Sequence, residues 1–433
     1  MLLKNGIRRI MSNKFSGDFI WNVMALGVTG VSGLLLNTVI LAGSGKEALG
    51  VFNQVLAIFV IASQLTVFGV QFSVLKHCSW QQETKEECRR QTVSGLLLTL
   101  VISTVLAGIL YFLAPDAARI LKSSHIAPGV RIIAVGIVFF SMNKILASAL
   151  NGLRHMKIFA LTNASRFSGY LLLTLILMAT GLHYQWFALA ITATEIVIFG
   201  VLSGYVIRRV FPLSLRRGDH PARLWREHLH FGARGFLSGF LIEANTRTDI
   251  LMLGWLTSET LVGIYSFSAV FAEGFAQLIT IMRNNLDPLL GKYFADGDCH
   301  GISGLGKKVR KYFYPLMLCG GLVLCLAFPV FLKLIPGTAT SDWQSYWYVL
   351  LILVAGFVLI SGYHCFIGIF IQGGRPGLFS GVMSVALGSN VILNLILIPR
   401  WGIYGAAVAT ALSYGIQTVC IIAGSRYFFK VKI

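Results

Sequence analysis

This sequence is short of charge. Only 12% of its 433 residues are Asp, Glu, Lys or Arg, 56% are apolar, and the mean hydropathy is +0.74. A soluble domain of this length carries about twice that share of charge. No polar stretch is long enough to form a separate soluble domain, which excludes the usual soluble enzyme and binding-module classes. The seven cysteines (78, 88, 299, 319, 325, 365 and 420) lack metal-ligand spacing. Three fall in basic loops and four in apolar runs, so free thiols and no disulfide framework are expected. The nine histidines offer no HExxH-type spacing, and apart from His364 they lie in loops or at the ends of apolar runs. "GISGLGKK" (301–308) falls one residue short of a phosphate-cradling loop, because Lys308 stands where the magnesium-binding Ser or Thr belongs. "NAS" (163–165) matches a glycosylation sequon but sits inside an apolar run. No catalytic constellation, cofactor or metal is expected.

What the chain does have is apolar runs of roughly 20 residues along nearly its whole length, each long enough to cross a bilayer core of about 30 Å. Twelve spans are predicted, near 19–41, 49–75, 92–114, 130–150, 160–181, 184–206, 232–256, 261–286, 311–335, 346–370, 378–398 and 403–425. The start, "MLLKNGIRRIMSNKFSGDFIW", is basic and has no small-residue cleavage site, so the first span is expected to stay; Met1 and Met11 serve equally well as initiator. Lys and Arg orient the spans. With the N-terminus inside, twenty-five of them fall in cytoplasmic segments and six in outside loops. Both termini are therefore expected in the cytoplasm. The same residues explain most of the net charge of +19: they line the inner face, where anionic headgroups attract them, and no nucleic-acid partner is implied.

The chain also repeats itself. "KEALGVFNQVLAIFVIASQL" (46–65) resembles "SETLVGIYSFSAVFAEGFAQL" (258–278), with Gly50 matching Gly263 and Phe52 matching Tyr265 at an offset of 213. "NGLR" (151–154) matches "QGGR" (372–375) at 221, and "LLTLILMATG" (172–181) shadows "ILNLILIPRW" (392–401) at 220. Offsets near half the chain length argue for two six-helix bundles with equivalent spans pointing the same way, a transporter design. The expected organisation is an N-terminal bundle (1–206), a basic cytoplasmic linker (207–231) and a C-terminal bundle (232–433). Within the linker, "DHPARLWREHLHF" reads as a short helix on the inner membrane surface, capped by Asp219, with Leu224, Trp225 and Phe231 facing lipid.

Where charge does occur inside a span, it asks for an explanation. "FLIEANTRTDILML" (240–253) carries Glu243, Arg247 and Asp249 within the seventh span. A charge at the centre of a lone span costs roughly 2.5–3.5 kcal/mol, so three cost on the order of 8–10. The span's nine Leu, Ile and Phe residues return about 3–5 kcal/mol. This span cannot face lipid all round. Glu243 and Arg247 lie about 40° apart on one face, while Arg234, Ser238, Asn245 and Asp249 cluster on nearly the opposite one. One stripe is expected to line a cavity and the other to pack into its own bundle, and the sequence leaves open which is which. Lys144, Arg166, Glu195 and Glu273 are the other mid-span charges. Arg234 and Arg283 are placed to snorkel to the inner interface. Glu195 and Glu273 read either as partners for buried bases or as functional acids. Lys144 and Arg247 lie deepest among the bases and favour function.

At this point the residues resemble a family. "NTRTDILMLGWLTSETLVGIYSFSAVF" (245–271) resembles the N-x-x-x-D-x-x-x-L-G … G-x-Y-S pattern at the start of the second bundle in polysaccharide-export flippases. "NVILNLILIPRWGIYGAAVATALSY" (390–414) resembles the same proteins' N-x-x-L-N-x-x-L-I-P-x-x-G-x-x-G-A-A stretch. Length, span number and halves are similar to O-antigen-type flippases of the multidrug/oligosaccharidyl-lipid/polysaccharide (MOP) superfamily. The resemblance implies an all-α polytopic membrane protein, with twelve transmembrane helices in two six-helix bundles set in a V and related by a pseudo-two-fold repeat. It implies no enzyme, but transport of an undecaprenyl-pyrophosphate-linked oligosaccharide across the bacterial inner membrane by alternating access. The related lipid II flippases usually carry fourteen spans, which counts against that branch.

The cavity candidates are then Lys144, Arg166, Arg247, Asp249, Asn245, Glu273 and Arg234. Their bases would offset the desolvation of a pyrophosphate, and amides such as Asn37, Asn53, Gln64, Asn245 and Gln277 suit a sugar chain. Expected partners are the lipid-linked oligosaccharide, membrane lipids, and a polysaccharide polymerase with its chain-length regulator. Two alternatives stay open: an ion-coupled multidrug exporter, which would want acids such as Glu195, Glu243, Asp249 and Glu273, and a non-transporting scaffold whose polar residues only join helices.

Overall fold

The computed structural model of the chain describes residues 2–80, 85–214, 221–335 and 343–433, the side chains of 2–20, 80 and 221 excepted. The side chains of Lys4, Arg8, Arg9 and Lys14, and the whole of the linker's Arg216, Arg217 and Asp219, lie outside that description. Among the described residues there are helices and no strands. In chain order they are α1 (Leu2–Val67), α2 (Val70–Trp80), α3 (Lys85–Phe112), α4 (Ala114–Ile120), α5 (Ile126–Gly152), α6 (Met156–Ala179) and α7 (Ala188–Arg209). The second part of the chain adds α8 (Pro221–Leu256), α9 (Glu259–Ala295), α10 (Cys299–Lys333), α11 (Trp343–His364), the one-turn α12 (Ile369–Gln372) and α13 (Pro376–Phe429). This is an all-α polytopic membrane fold.

Among the described residues, eight helices are long and apolar enough to cross a membrane. Two of them hold two spans each. Gly45 (φ 88°) interrupts α1 and Gly402 (φ 55°) interrupts α13, and in both the positive φ is one that glycine adopts without steric cost. The helices α6 and α8 are the two long ones left outside the apolar eight, and they carry Arg166 and the Glu243, Arg247, Asp249 group. Adding them to the ten spans gives the twelve segments read from the sequence.

By packing, the chain divides into two units: Met1–Asn37 with Ile58–Ala117 and His125–Phe236, and Thr38–Ala57 with Ala118–Ser124 and Leu237–Ile433. In the first, α5 is central, packed on α2, α3 and α7. Small residues allow the close approach: a Cβ on Gly136 would lie 2.7 Å from Thr192 Oγ1, and Thr192 donates to the Ile132 carbonyl at 2.9 Å. In the second, α11 packs on α9, α10 and α13. There the repeat becomes visible. A Cβ on Gly50 would fall 1.8 Å from the Glu259 carbonyl oxygen, and one on Gly263 would fall 1.9 Å from that of Lys46. Each glycine thus meets the backbone four residues before its own counterpart, a symmetric crossing that a methyl group on either side would break.

Two expectations are corrected here. The linker helix is no separate surface helix: it runs into the seventh span as the single helix α8. No proline follows Pro221 within α8, and Gly232 and Gly235 are tolerated inside it because they allow close packing. A Cβ on Gly69 would meet the Gly232 carbonyl oxygen at 2.3 Å. Trp225 packs on the first unit's apolar core, Lys76 Nζ sits 4.6 Å over the Phe231 ring, and buried His228 shares a 2.9 Å hydrogen bond with Ser73 Oγ. Trp225 and Phe231 therefore face protein, not lipid. Burial and neighbouring His77 push His228 down to about 4. The second correction concerns Cys78 and Cys88, expected as free thiols. The α2–α3 hairpin brings their Cα atoms to 4.9 Å, and the structure joins them in a disulfide, while the other five cysteines are free.

Candidate functional site

Each unit buries an acid within its helices. In the first unit it is Glu195 on α7, fully buried, where a lone carboxylate would be untenable. Arg166 Nε donates to its Oε1 at 2.6 Å, Tyr170 Oη donates to the same oxygen at 2.8 Å, and Asn143 Nδ2 donates to Oε2 at 2.9 Å. Arg166 and Tyr170 are four apart on α6 and so share a face; Asn143 comes from α5. The Arg166 guanidinium lies 4.7 Å over the Phe140 ring, and Lys144 Nζ approaches the same ring at 5.4 Å. Arg166 is thus held as a structural partner of Glu195, with 13% of its side chain exposed.

In the second unit the buried acid is Asp249 on α8, 5% exposed. Its partners are neutral. Tyr265 Oη donates to Oδ2 at 2.8 Å, Asn394 Nδ2 donates to Oδ1 at 2.8 Å, and the Thr410 hydroxyl donates to Oδ2. Asn394 also donates to Asn390 Oδ1 at 2.5 Å. Among the described residues no base lies within ion-pair distance of Asp249. A buried carboxylate ringed by hydroxyl and amide groups, without a cation of its own, is a set of hard oxygen donors suited to a proton or a small hard cation. The break at Gly402 places Asn390 and Asn394 on one arm of α13 and Thr410 on the other, so both arms reach Asp249.

Beside this cage lies a chamber of about 350 Å³. Its walls are Asn245 and Thr246 of α8, Glu273, Gln277, Thr280 and Arg283 of α9, Phe357 and His364 of α11, and Met383, Tyr414 and Gln417 of α13, with Ile242, Ala276 and Ile367. Three buried polar atoms around it have no hydrogen-bond partner: Asn245 Oδ1, Arg283 Nε and Gln417 Oε1.

Of the sequence-derived candidates, Asn245 and Glu273 line this chamber and Asp249 lies in the cage beside it. Arg247 is not a lining residue; its Nε is buried without a partner, and no ion pair links it to Glu243. It does act electrostatically on Glu273. Lys144 and Arg166 belong to the first unit's cluster. Arg234 is exposed and bonded to His230 at 2.9 Å, on the part of α8 that packs with the first unit. The sequence reading missed Tyr265, Asn390, Asn394 and Thr410 as partners of Asp249, although all four stand in the two motif stretches. Asn390 and Asn394, four apart in an apolar run, were the available signal. It missed His364, Tyr414 and Gln417 as chamber walls too, since they are uncharged side chains in apolar spans.

Comparison with known proteins adds three findings. A family model described as "Polysaccharide biosynthesis protein" matches residues 18–285. A curated relative, the probable low-salt glycan biosynthesis flippase Agl15 of Haloferax volcanii, is 42% identical over 86 residues, 20% of this chain and 18% of the relative. The chain thus matches less than a fifth of that relative's length. Among solved structures, the lipid II flippase MurJ in an inward closed conformation matches with a TM-score of 0.77 at 14% identity, over 94% of this chain and 87% of that one. An inward-facing multidrug resistance MATE family transporter of the MOP superfamily matches with 0.78 at 13% identity, over 94% and 98%. At such identities these likenesses establish the fold.

Proposed function

Because the chain belongs to the polysaccharide biosynthesis protein family, with 18–285 of its residues matched, we propose that it is a flippase. Its proposed substrate is an undecaprenyl-pyrophosphate-linked oligosaccharide, an O-antigen-type repeat unit, carried across the bacterial inner membrane by alternating access of two bundles. The one-sided distribution of Lys and Arg supports cytoplasmic termini.

One observation carries the reading: a polar chamber with unpaired groups lies next to a buried acid that has no cation of its own. The first gives a place for a hydrophilic substrate group. The second gives a carboxylate held only by neutral donors, a group to which a proton or cation can add, which is what coupling to an ion gradient requires. Each unit by itself offers a base as a proposed phosphate contact, Lys144 in the first and Arg247 in the second, while Arg166 is held beside Lys144 by Glu195. Asn245 and Glu273 face the glycan, Asp249 serves coupling, and Arg234 lies at the cytoplasmic entrance. A polymerase and a chain-length regulator would take up the product.

Deleting the gene in the native host tests this. Loss of surface glycan with accumulation of the lipid-linked repeat unit is expected; normal surface glycan in the deletion strain refutes it. The second reading is an ion-coupled exporter of cationic drugs, favoured by Glu273 in the chamber wall. It predicts the reverse pattern, with drug sensitivity raised and glycan untouched.

A further inference from the structure

We propose that the chamber of the second unit is the subsite for the sugar end of the lipid-linked substrate, a ligand bringing hydroxyl donors, and that it excludes the phosphates. The inference rests on the flippase reading and adds which part of the substrate this chamber takes.

The polar groups are unbalanced in one direction. Gln417 is 1% exposed and its Oε1 has no partner, while its Nε2 is held by Met383 Sδ at 3.4 Å. Asn245 is 6% exposed and its Oδ1 is likewise unpaired. Glu273 adds a carboxylate with no ion pair among the described residues. Among the fully buried unpaired atoms of the chamber, the two amide oxygens stand against one donor, Arg283 Nε, ten residues along α9 from Glu273. Buried acceptors left unpaired are costly, and they are satisfied by a ligand that donates. A phosphate group only accepts at neutral pH and is repelled by Glu273, while the cation of the wall, Arg283, is offset by neighbouring Asp287. A sugar ring donates from each hydroxyl.

The shape agrees. Glu273, Gln277 and Thr280 fall within about 60° of one another around α9 and span about 10 Å along it, a ladder of polar groups on one wall. Across from it, Phe357 and Tyr414, ring centroids 5.4 Å apart, offer apolar surface for the C–H faces of a ring. A volume of about 350 Å³ lies at the lower end of the small-molecule range, fitting a short piece of glycan and not the whole lipid-linked molecule.

The test uses the full chain in lipid nanodiscs, carrying Thr280→Cys as a reporter on the ladder, with Thr246→Cys as the second reporter. The rate of thiol labelling by a small methanethiosulfonate is compared with the parent, whose free cysteines set the background. Two probes are added separately: the glycan released by mild acid from lipid-linked material of the deletion strain, and inorganic pyrophosphate. The glycan should slow labelling several-fold and pyrophosphate should not. Adding Gln417→Met should abolish the protection while leaving the ligand-free labelling rate unchanged. Protection by pyrophosphate alone, or by neither probe, overturns the sugar subsite while leaving the flippase reading in place. If the deletion strain accumulates no lipid-linked glycan, the flippase reading itself fails and this inference with it.

Discussion

Removing the guanidinium of Arg166 separates a structural from a substrate-binding role for the first unit's cluster. Arg166→Gln leaves the Glu195 carboxylate with only Tyr170 and Asn143 as donors. Two magnitudes bracket the cost. Stripping one partner from a buried ion pair costs about 3–5 kcal/mol when the other charge stays unpaired. Polar contacts between helices in a bilayer average only about 0.6 kcal/mol, because alternative states also find partners. The geometry favours the upper figure: Glu195 is 0% exposed, so nothing replaces the guanidinium. The two remaining donors offset part of it, and about 2–3 kcal/mol is expected. Glu195→Gln strands Arg166 instead, but that cation keeps the Phe140 ring and partial exposure, so the loss should be about 1–2 kcal/mol. The double variant removes both charges and should recover much of the sum. Reversible unfolding of the four proteins in bicelles gives the coupling energy, expected at about 2 kcal/mol. Losses that add within about 0.5 kcal/mol would refute the pairing and return Arg166 to the cavity candidates.

Reporters fused after residue 215 or 300 should be cytoplasmic and those after 125 or 340 periplasmic; an opposite signal at any of these sites breaks the twelve-span topology. Arg247→Glu should abolish glycan export, and the swapped Glu243→Arg/Arg247→Glu protein should insert stably yet stay inactive. Export by the swap would make the two charges interchangeable and Arg247 structural. His228, held at about 4 by burial, is neutral in the docked linker but takes up a proton in the unfolded chain below its ordinary 6.5. Its contribution to stability is therefore intact above about pH 6.5 and is lost as the pH falls toward about 4, by up to about 3 kcal/mol. Thermal unfolding should be more acid-sensitive in the parent than in His228→Gln, and an equal pH slope in both would remove the histidine from the account.

The spans were legible because a bilayer demands long apolar runs and this chain has little else. The two breaks were legible too: Gly45 and Gly402 stand between runs that were already counted as separate spans. Of the stripe of Arg234, Ser238, Asn245 and Asp249 on the seventh span, Asn245 and Asp249 turn toward α9 and α13, while Arg234 is exposed on the part of α8 that packs with the first unit. Where these residues turn is a matter of packing, which spacing within one helix does not carry. The same limit hid the Glu195 cluster, whose members sit on three helices up to fifty-two positions apart. The linker was misread for a different reason. Its amphipathic pattern fits a membrane surface as well as it fits the face of α2, and only the contacts of His228, Trp225 and Phe231 choose the second. Cys78 and Cys88 become neighbours through a hairpin whose register no cysteine count reveals.

The central claim is that this chain moves a glycan on a polyprenyl carrier, and movement in purified proteoliposomes tests it most directly. A polyprenyl-pyrophosphate oligosaccharide is placed in the vesicles, and its exposure is followed with an externally added glycosidase. The account predicts that the accessible fraction rises with time above that of protein-free vesicles, and rises more slowly with Asp249→Asn. An accessible fraction no different from protein-free vesicles, in proteoliposomes that transport a cationic dye, would contradict it.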